Sequence, residues 1–91
     1  GGLAGEVTKK LPARMSYKET RELEQLPLQI EALEAEQRAL AEAMSGPEYH
    51  KRGSEQMRRD ATRATEIEQA LEVAFERWAE LEAKKNASGR G

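Results

Sequence analysis

Two stretches of this chain space their apolar residues alternately three and four positions apart, and Ser45-Gly46-Pro47 separates them. Such spacing keeps one stripe of an α-helix against a partner along its whole length, which is the seam pattern of a coiled coil. In the first stretch the seam positions are Leu23, Leu26, Ile30, Leu33, Gln37, Leu40 and Met44; in the second they are Met57, Asp60, Ala64, Ile67, Leu71, Ala74, Trp78 and Leu81. Gly46 suits the left-handed residue that follows a helix, and Pro47 cannot continue one, so the first arm is expected to stop there. The connection to the second arm is too short to return the chain for parallel pairing. Arms that pair within one chain are therefore antiparallel.

Composition supports the same architecture. Charged residues make up 35% of the 91 positions and aromatics 4%, and a predominance of Ala, Glu, Leu, Arg and Lys belongs to long helices, not to sandwiches or barrels. The length holds one small domain at most. There is no cysteine, which excludes disulfides and thiolate metal sites. No apolar run approaches the roughly 20 residues of a membrane span, and the opening Gly1-Gly2-Leu3-Ala4-Gly5 lacks the basic-then-apolar order of a secretory signal. The expected fold is all-α: a two-stranded antiparallel coiled-coil hairpin over residues 15–85, with helices at about 16–26, 28–44 and 54–85. Residues 1–14 are expected to be a flexible linker and 86–91 a flexible tail.

Local signals refine this outline. Ser16 followed three residues later by Glu19 has the form of a capping box, in which each side chain satisfies a backbone N–H of the other at the helix start. Pro27 lies inside the first arm and removes one helical hydrogen bond, so a kink or break is expected there, with the periodicity continuing in phase across it. A turn centred near Tyr49 places Leu40 near Met57, Leu33 near Ala64 and Leu26 near Leu71, and sets Gln37 against Asp60 or Ala61. Phe75, Trp78 and Leu81 are expected to pack with Tyr17, Leu23 and Leu26 as a filled core at the base of the hairpin.

No catalytic template fits these residues: there is no Gly-x-Gly-x-x-Gly, no phosphate-binding loop, no His-Glu-x-x-His and no cysteine nucleophile. The sole histidine, His50, stands beside Lys51 and Arg52 in the loop and reads as a solvated side chain. Glu31, Glu34, Glu68, Glu72, Glu76 and Glu80 recur on solvent positions, and Glu34–Arg38, Glu55–Arg59 and Glu80–Lys84 fit the favourable four-residue pairing within a helix. Neither a cofactor nor a metal site is expected.

Charge is distributed unevenly. Acids dominate from Glu19 to Glu48, whereas Lys51, Arg52, Arg58, Arg59 and Arg63 make the tip basic. A second basic group, Lys9, Lys10, Arg14 and Lys18, precedes and opens the first helix, and antiparallel arms return Lys84, Lys85 and Arg90 beside it. Basic clusters at two ends of a rod can contact phosphates in a salt-dependent way. Ordinary solvation with local salt bridges is the competing reading. Tyr49 beside the basic tip is the one exposed aromatic candidate for base stacking, and packing on the loop is the preferred reading of it.

Met15-Ser16-Tyr17-Lys18-Glu19-Thr20-Arg21-Glu22-Leu23-Glu24-Gln25-Leu26-Pro27 resembles the opening of the C-terminal domain of Uup-type ABC-F ATPases, and Leu71-Glu72-Val73-Ala74-Phe75-Glu76-Arg77-Trp78-Ala79-Glu80-Leu81-Glu82 is similar to its final segment. The resemblance implies a non-catalytic DNA-binding coiled-coil hairpin, linked to two ATP-binding cassettes that bind and hydrolyse ATP elsewhere in the parent protein. A cytoplasmic, monomeric appendage is the corresponding expectation. Ribosomal RNA, or docking on the parent's own ATPase cassettes, is the alternative. The nucleic-acid-binding residues expected from charge alone are Lys9, Lys10, Arg14, Lys18, Lys84 and Lys85 at the base, then Arg58, Arg59 and Arg63 toward the tip.

Overall fold

The computed structural model describes residues 15–89. Helix α1 spans Tyr17–Met44, a 3₁₀ turn spans Tyr49–Arg52, and helix α2 spans Ser54–Gly89. The two helices lie along each other as an antiparallel coiled-coil hairpin, a rod of 68 × 24 × 16 Å.

Helix α1 starts where its capping box forms. The Ser16 hydroxyl accepts from the Glu19 backbone N–H at 3.0 Å, and the Glu19 carboxylate accepts from the Ser16 N–H at 2.9 Å. Two of the orphan donors of the first turn are thereby satisfied. The helix then runs through Pro27 without a break, so the two pieces expected at 16–26 and 28–44 are one element. Leu23, Leu26 and Ile30, on both sides of the proline, are buried against α2. Their burial holds the helical path that the missing hydrogen bond would otherwise release.

The loop departs from expectation. Gly46 does not take the left-handed conformation; Gly53 does, at φ 94 and ψ 154. That combination is open almost only to glycine. Gly53 redirects the chain from the 3₁₀ turn into α2, and its carbonyl accepts the Met57 N–H at 3.1 Å, within the first turn of α2. The 3₁₀ turn packs on the first turns of α2: the Tyr49 hydroxyl donates to Asp60 Oδ2 at 2.7 Å, and Gln56 Nε2 donates to Oδ1 at 2.9 Å. Asp60 is thus committed to the loop and does not meet Gln37. Gln37 instead lines a groove with Leu40, Ala64 and Glu68, and Leu26 shares another with Ala74. The arms are slipped by about one helical turn from a symmetric register, because the loop takes its space on the α2 side.

Burial is concentrated at the base. Leu23, Leu26, Ile30, Ile67, Leu71, Ala74 and Leu81 form the core, with Ile67 at 0% and Leu81 at 1% exposure; Met15, Leu33 and Leu40 pack on it half-buried. Three aromatics expected there are outside it: Tyr17 is 76% exposed, Phe75 44% and Trp78 37%. The seam is filled by aliphatic side chains, and the larger rings lie along its edge. Helix α2 also continues through residues 86–89, past the expected end near Lys85. The expected linker at 1–14 lies outside the described residues.

Candidate nucleic-acid interface

The bases divide by whether a carboxylate already holds them. Three ion pairs join the arms on one flank. Arg63 makes a two-pronged contact with Glu36 at 2.6 Å for each nitrogen, and Arg77 does the same with Glu22 at 2.8 and 3.0 Å. Lys84 Nζ sits 3.0 and 2.8 Å from the two oxygens of Glu19. Arg63, Arg77 and Lys84 are separated by whole heptads, so they project from the same edge of α2. The bases shift the titration of their carboxylate partners. Hydrogen bonding to Lys84 and to the Ser16 N–H pulls the Glu19 carboxyl down to about 2. Arg77 lowers Glu22 and Arg63 lowers Glu36, while the two guanidinium groups are raised in return. Arg63 and Lys84, both expected as phosphate contacts, are therefore engaged in closing the hairpin.

At the tip the bases are partly neutralised. Arg58 and Arg59 share Glu55 at 3.4 and 3.6 Å, and Lys51 pairs with Glu48. Every member of these pairs is largely exposed. Such contacts contribute little to stability and open readily to a competing anion. Tyr49 is half-buried and bonded to Asp60, which packs it on the loop. Burial and the Asp60 carboxylate raise its hydroxyl above the usual range.

Among the described residues, Lys18 and Lys85 form no ion pair and both are exposed. They stand at the base, where α1 begins and α2 ends. Arg21 joins them without having been expected: its Nη1 donates to the Tyr17 hydroxyl at 3.1 Å, with the guanidinium carbon 5.9 Å from the ring centroid. In sequence Arg21 is hidden between Glu19 and Glu22. In three dimensions those two acids are held by Lys84 and Arg77, and Arg21 forms no ion pair among the described residues. Lys9, Lys10, Arg14 and Arg90 lie outside the described residues. Of the three expected four-residue pairs, all within the described residues, Glu55–Arg59 forms and Glu34–Arg38 does not, while Glu80 goes to Arg77 and Lys84 to Glu19.

The opposite flank carries no inter-arm ion pair among the described residues. There Met15, Leu23, Pro27 and Trp78, and then Pro27, Ile30, Phe75 and Trp78, line two grooves that share Pro27 and Trp78 and so form one apolar trough. No group of His, Cys, Asp or Glu in the described residues is arranged to hold a metal ion, and no helix there is long and apolar enough to cross a membrane.

Residues 14–83 match the family model described as ABC transporter C-terminal domain. The chain is 42% identical over 81 residues to the ATP-binding protein Uup of Escherichia coli (strain K12), covering 89% of this chain and 13% of that protein. It is 38% identical over 80 residues to an ATP-binding protein Uup-like of Haemophilus influenzae (strain ATCC 51907 / DSM 11121 / KW20 / Rd), covering 88% of this chain and 17% of that one. The chain thus spans less than a fifth of the length of these relatives. A solved structure described as "The C-terminal domain of the Uup protein is a DNA-binding coiled coil motif" superimposes with a TM-score of 0.73 at 44% identity, covering 79% of this chain and 85% of that one.

Proposed function

Since this chain belongs to the ABC transporter C-terminal domain family, as a domain of the Uup type, we propose that it is a non-catalytic DNA-binding hairpin that contacts phosphates through the basic residues at its base. The observation that carries this reading is the agreement in sequence and fold with a solved Uup domain described as a DNA-binding coiled coil. Among the described residues the exposed bases without an ion pair are Lys18, Arg21, Arg38, Arg52 and Lys85, and we place the contact at the base because three of them gather there. Lys18, Arg21 and Lys85 are exposed and unneutralised among the described residues, and Lys9, Lys10 and Arg14 precede them directly in sequence. Arg58 and Arg59 supply a weaker, secondary contact because Glu55 competes for them. Arg63 and Lys84 hold the arms together.

The mode of contact is electrostatic. Lysine and arginine neutralise phosphates and release counterions, so affinity falls steeply with salt and carries little sequence preference. A hairpin closed within one chain needs no second copy to present this surface, in keeping with a monomer. ATP turnover would belong to the cassettes of a longer parent protein in the cytoplasm.

Fluorescence-anisotropy titration of labelled duplex, branched and single-stranded DNA, and of a ribosomal RNA helix, tests the reading at two salt concentrations. Salt-sensitive binding to one of the DNA forms is expected. Binding to none of the DNA forms at low salt would contradict it, and binding to the RNA helix alone would replace DNA with ribosomal RNA.

A further inference from the structure

Tyr17 is the most exposed of the chain's aromatic side chains, at 76%; Phe75 and Trp78 lie along the edge of the seam, and Tyr49 is packed on the loop. It takes no part in the hydrophobic core among the described residues, so burial of its ring adds little to the stability of the hairpin. Polar contacts orient it instead. Arg21, one helical turn on, places its guanidinium carbon 5.9 Å from the ring centroid and donates from Nη1 to the hydroxyl at 3.1 Å. A guanidinium has several N–H donors, so Arg21 can hold the ring and still reach a second acceptor. Lys18 follows Tyr17 directly, exposed and without an ion pair among the described residues. Glu19 and Glu22, the nearest acids in sequence, are held across the arms by Lys84 and Arg77.

A solvent-facing ring set between cations has the chemistry that binds single-stranded nucleic acid: a base stacks on the ring while the cations take the neighbouring phosphates. Inside a duplex each base is already stacked on its neighbours, and its face is closed to a side chain on a protein surface. Phosphates are equally accessible in both forms. Tyr17 can therefore tell them apart where lysines alone cannot. We propose that Tyr17, oriented by Arg21, is the stacking platform for one unpaired base, with Lys18 and Arg21 taking the phosphates beside it. The hairpin then favours DNA carrying an exposed single-stranded stretch over a fully paired duplex. This assignment rests on the DNA-binding reading and adds to it a class of substrate. Stacking needs only a π-face, so the preference is for unpaired structure and not for sequence.

Three labelled probes separate stacking from phosphate contact: oligothymidylate, an abasic single strand of the same length, and a blunt duplex. Each is titrated with the full chain at low salt and read by fluorescence anisotropy. Tyr17→Ala should weaken oligothymidylate binding by about 5- to 150-fold, the worth of one stacked base, and leave the other two probes within about twofold of the parent. Tyr17→Leu, which keeps apolar bulk without a π-face, should do the same. Tyr17→Phe keeps the ring and should bind all three probes as the parent does. Helical circular dichroism should be unchanged in every variant. Unaltered oligothymidylate binding in both Tyr17→Ala and Tyr17→Leu would overturn the proposal. So would equal weakening on all three probes, since Tyr17 would then act only through the helix or through Arg21. Either result leaves the DNA reading standing, whereas a parent chain that binds none of the three would remove both.

Discussion

The base and tip of this hairpin are built from the same heptad pattern and held by different forces. At the base, Leu23, Leu26, Ile30, Leu71, Ala74 and Leu81 are buried, and the Glu19–Lys84 and Glu22–Arg77 pairs clamp the edge. Beyond Leu33 on α1 and before Ile67 on α2 no side chain is fully buried; there the seam contains Gln37, Ala64 and Asp60. The tip relies on conformation and hydrogen bonds: Gly53 in its special backbone region, the 3₁₀ turn, and Tyr49 and Gln56 on Asp60. A regular seam pattern therefore does not imply uniform stability. The buried area per layer decides, and it falls from base to tip.

The largest break in this contrast is expected from Ile67→Ala. Its side chain is fully enclosed, and truncating a buried isoleucine costs about 2–5 kcal/mol, enough to unfold much of a domain this small. Leu40→Ala, half-buried nearer the tip, should cost less than half as much, with both read from urea midpoints. Equal losses would show that the core extends evenly to the tip. Next comes Gly53→Ala. No atom lies near the added methyl, so its cost is purely conformational, about 1–3 kcal/mol. Hydrogen exchange should place the opening in the amides around the loop while the base stays protected. Ser16→Ala removes one half of the capping box and should cost about 1 kcal/mol, with fraying confined to the start of α1.

The mildest effect is expected from acid. The folded-state carboxyls of Glu19, Glu22 and Glu36 lie below their ordinary value of 4.5, held there by Lys84, Arg77 and Arg63 respectively. A carboxyl depressed in the folded state contributes stability that is present above pH 4.5 and is lost as pH falls toward about 2, the value reached by Glu19. Thermal midpoints should be flat from pH 5 upward and decline below it. Glu19→Gln should reduce the decline, and an unchanged slope in that variant would remove the Lys84 clamp from the account.

The architecture was legible because heptad spacing and the Gly46-Pro47 stop fix two antiparallel arms before any contact is known. The capping box at Ser16 and Glu19 was equally local, and so readable. What the sequence hid depends on register. Once Tyr49 takes Asp60, the partners of Gln37 change, and so do those of the long charged side chains. Lys84 reaches across to both oxygens of Glu19 in preference to Glu80 on its own helix, because the inter-arm contact is more shielded from water. The rings of Phe75 and Trp78 have seam-like spacing yet lie at its edge, where aliphatic residues already fill the gap between the helices. The same register sorts the bases: Arg63 and Lys84, expected as phosphate contacts, are held by Glu36 and Glu19, while Arg21, not singled out in the sequence, has no ion pair among the described residues.

That difference between the ends decides where a phosphate backbone should bind. The most direct measurement compares Lys18→Ala/Lys85→Ala with Arg58→Ala/Arg59→Ala in duplex-DNA anisotropy titrations across a series of salt concentrations. The base variant should bind more weakly and lower the salt slope by about one for each lysine that contacts a phosphate, with the tip variant close to the parent. A loss confined to the tip variant would contradict the account and move the interface to the loop.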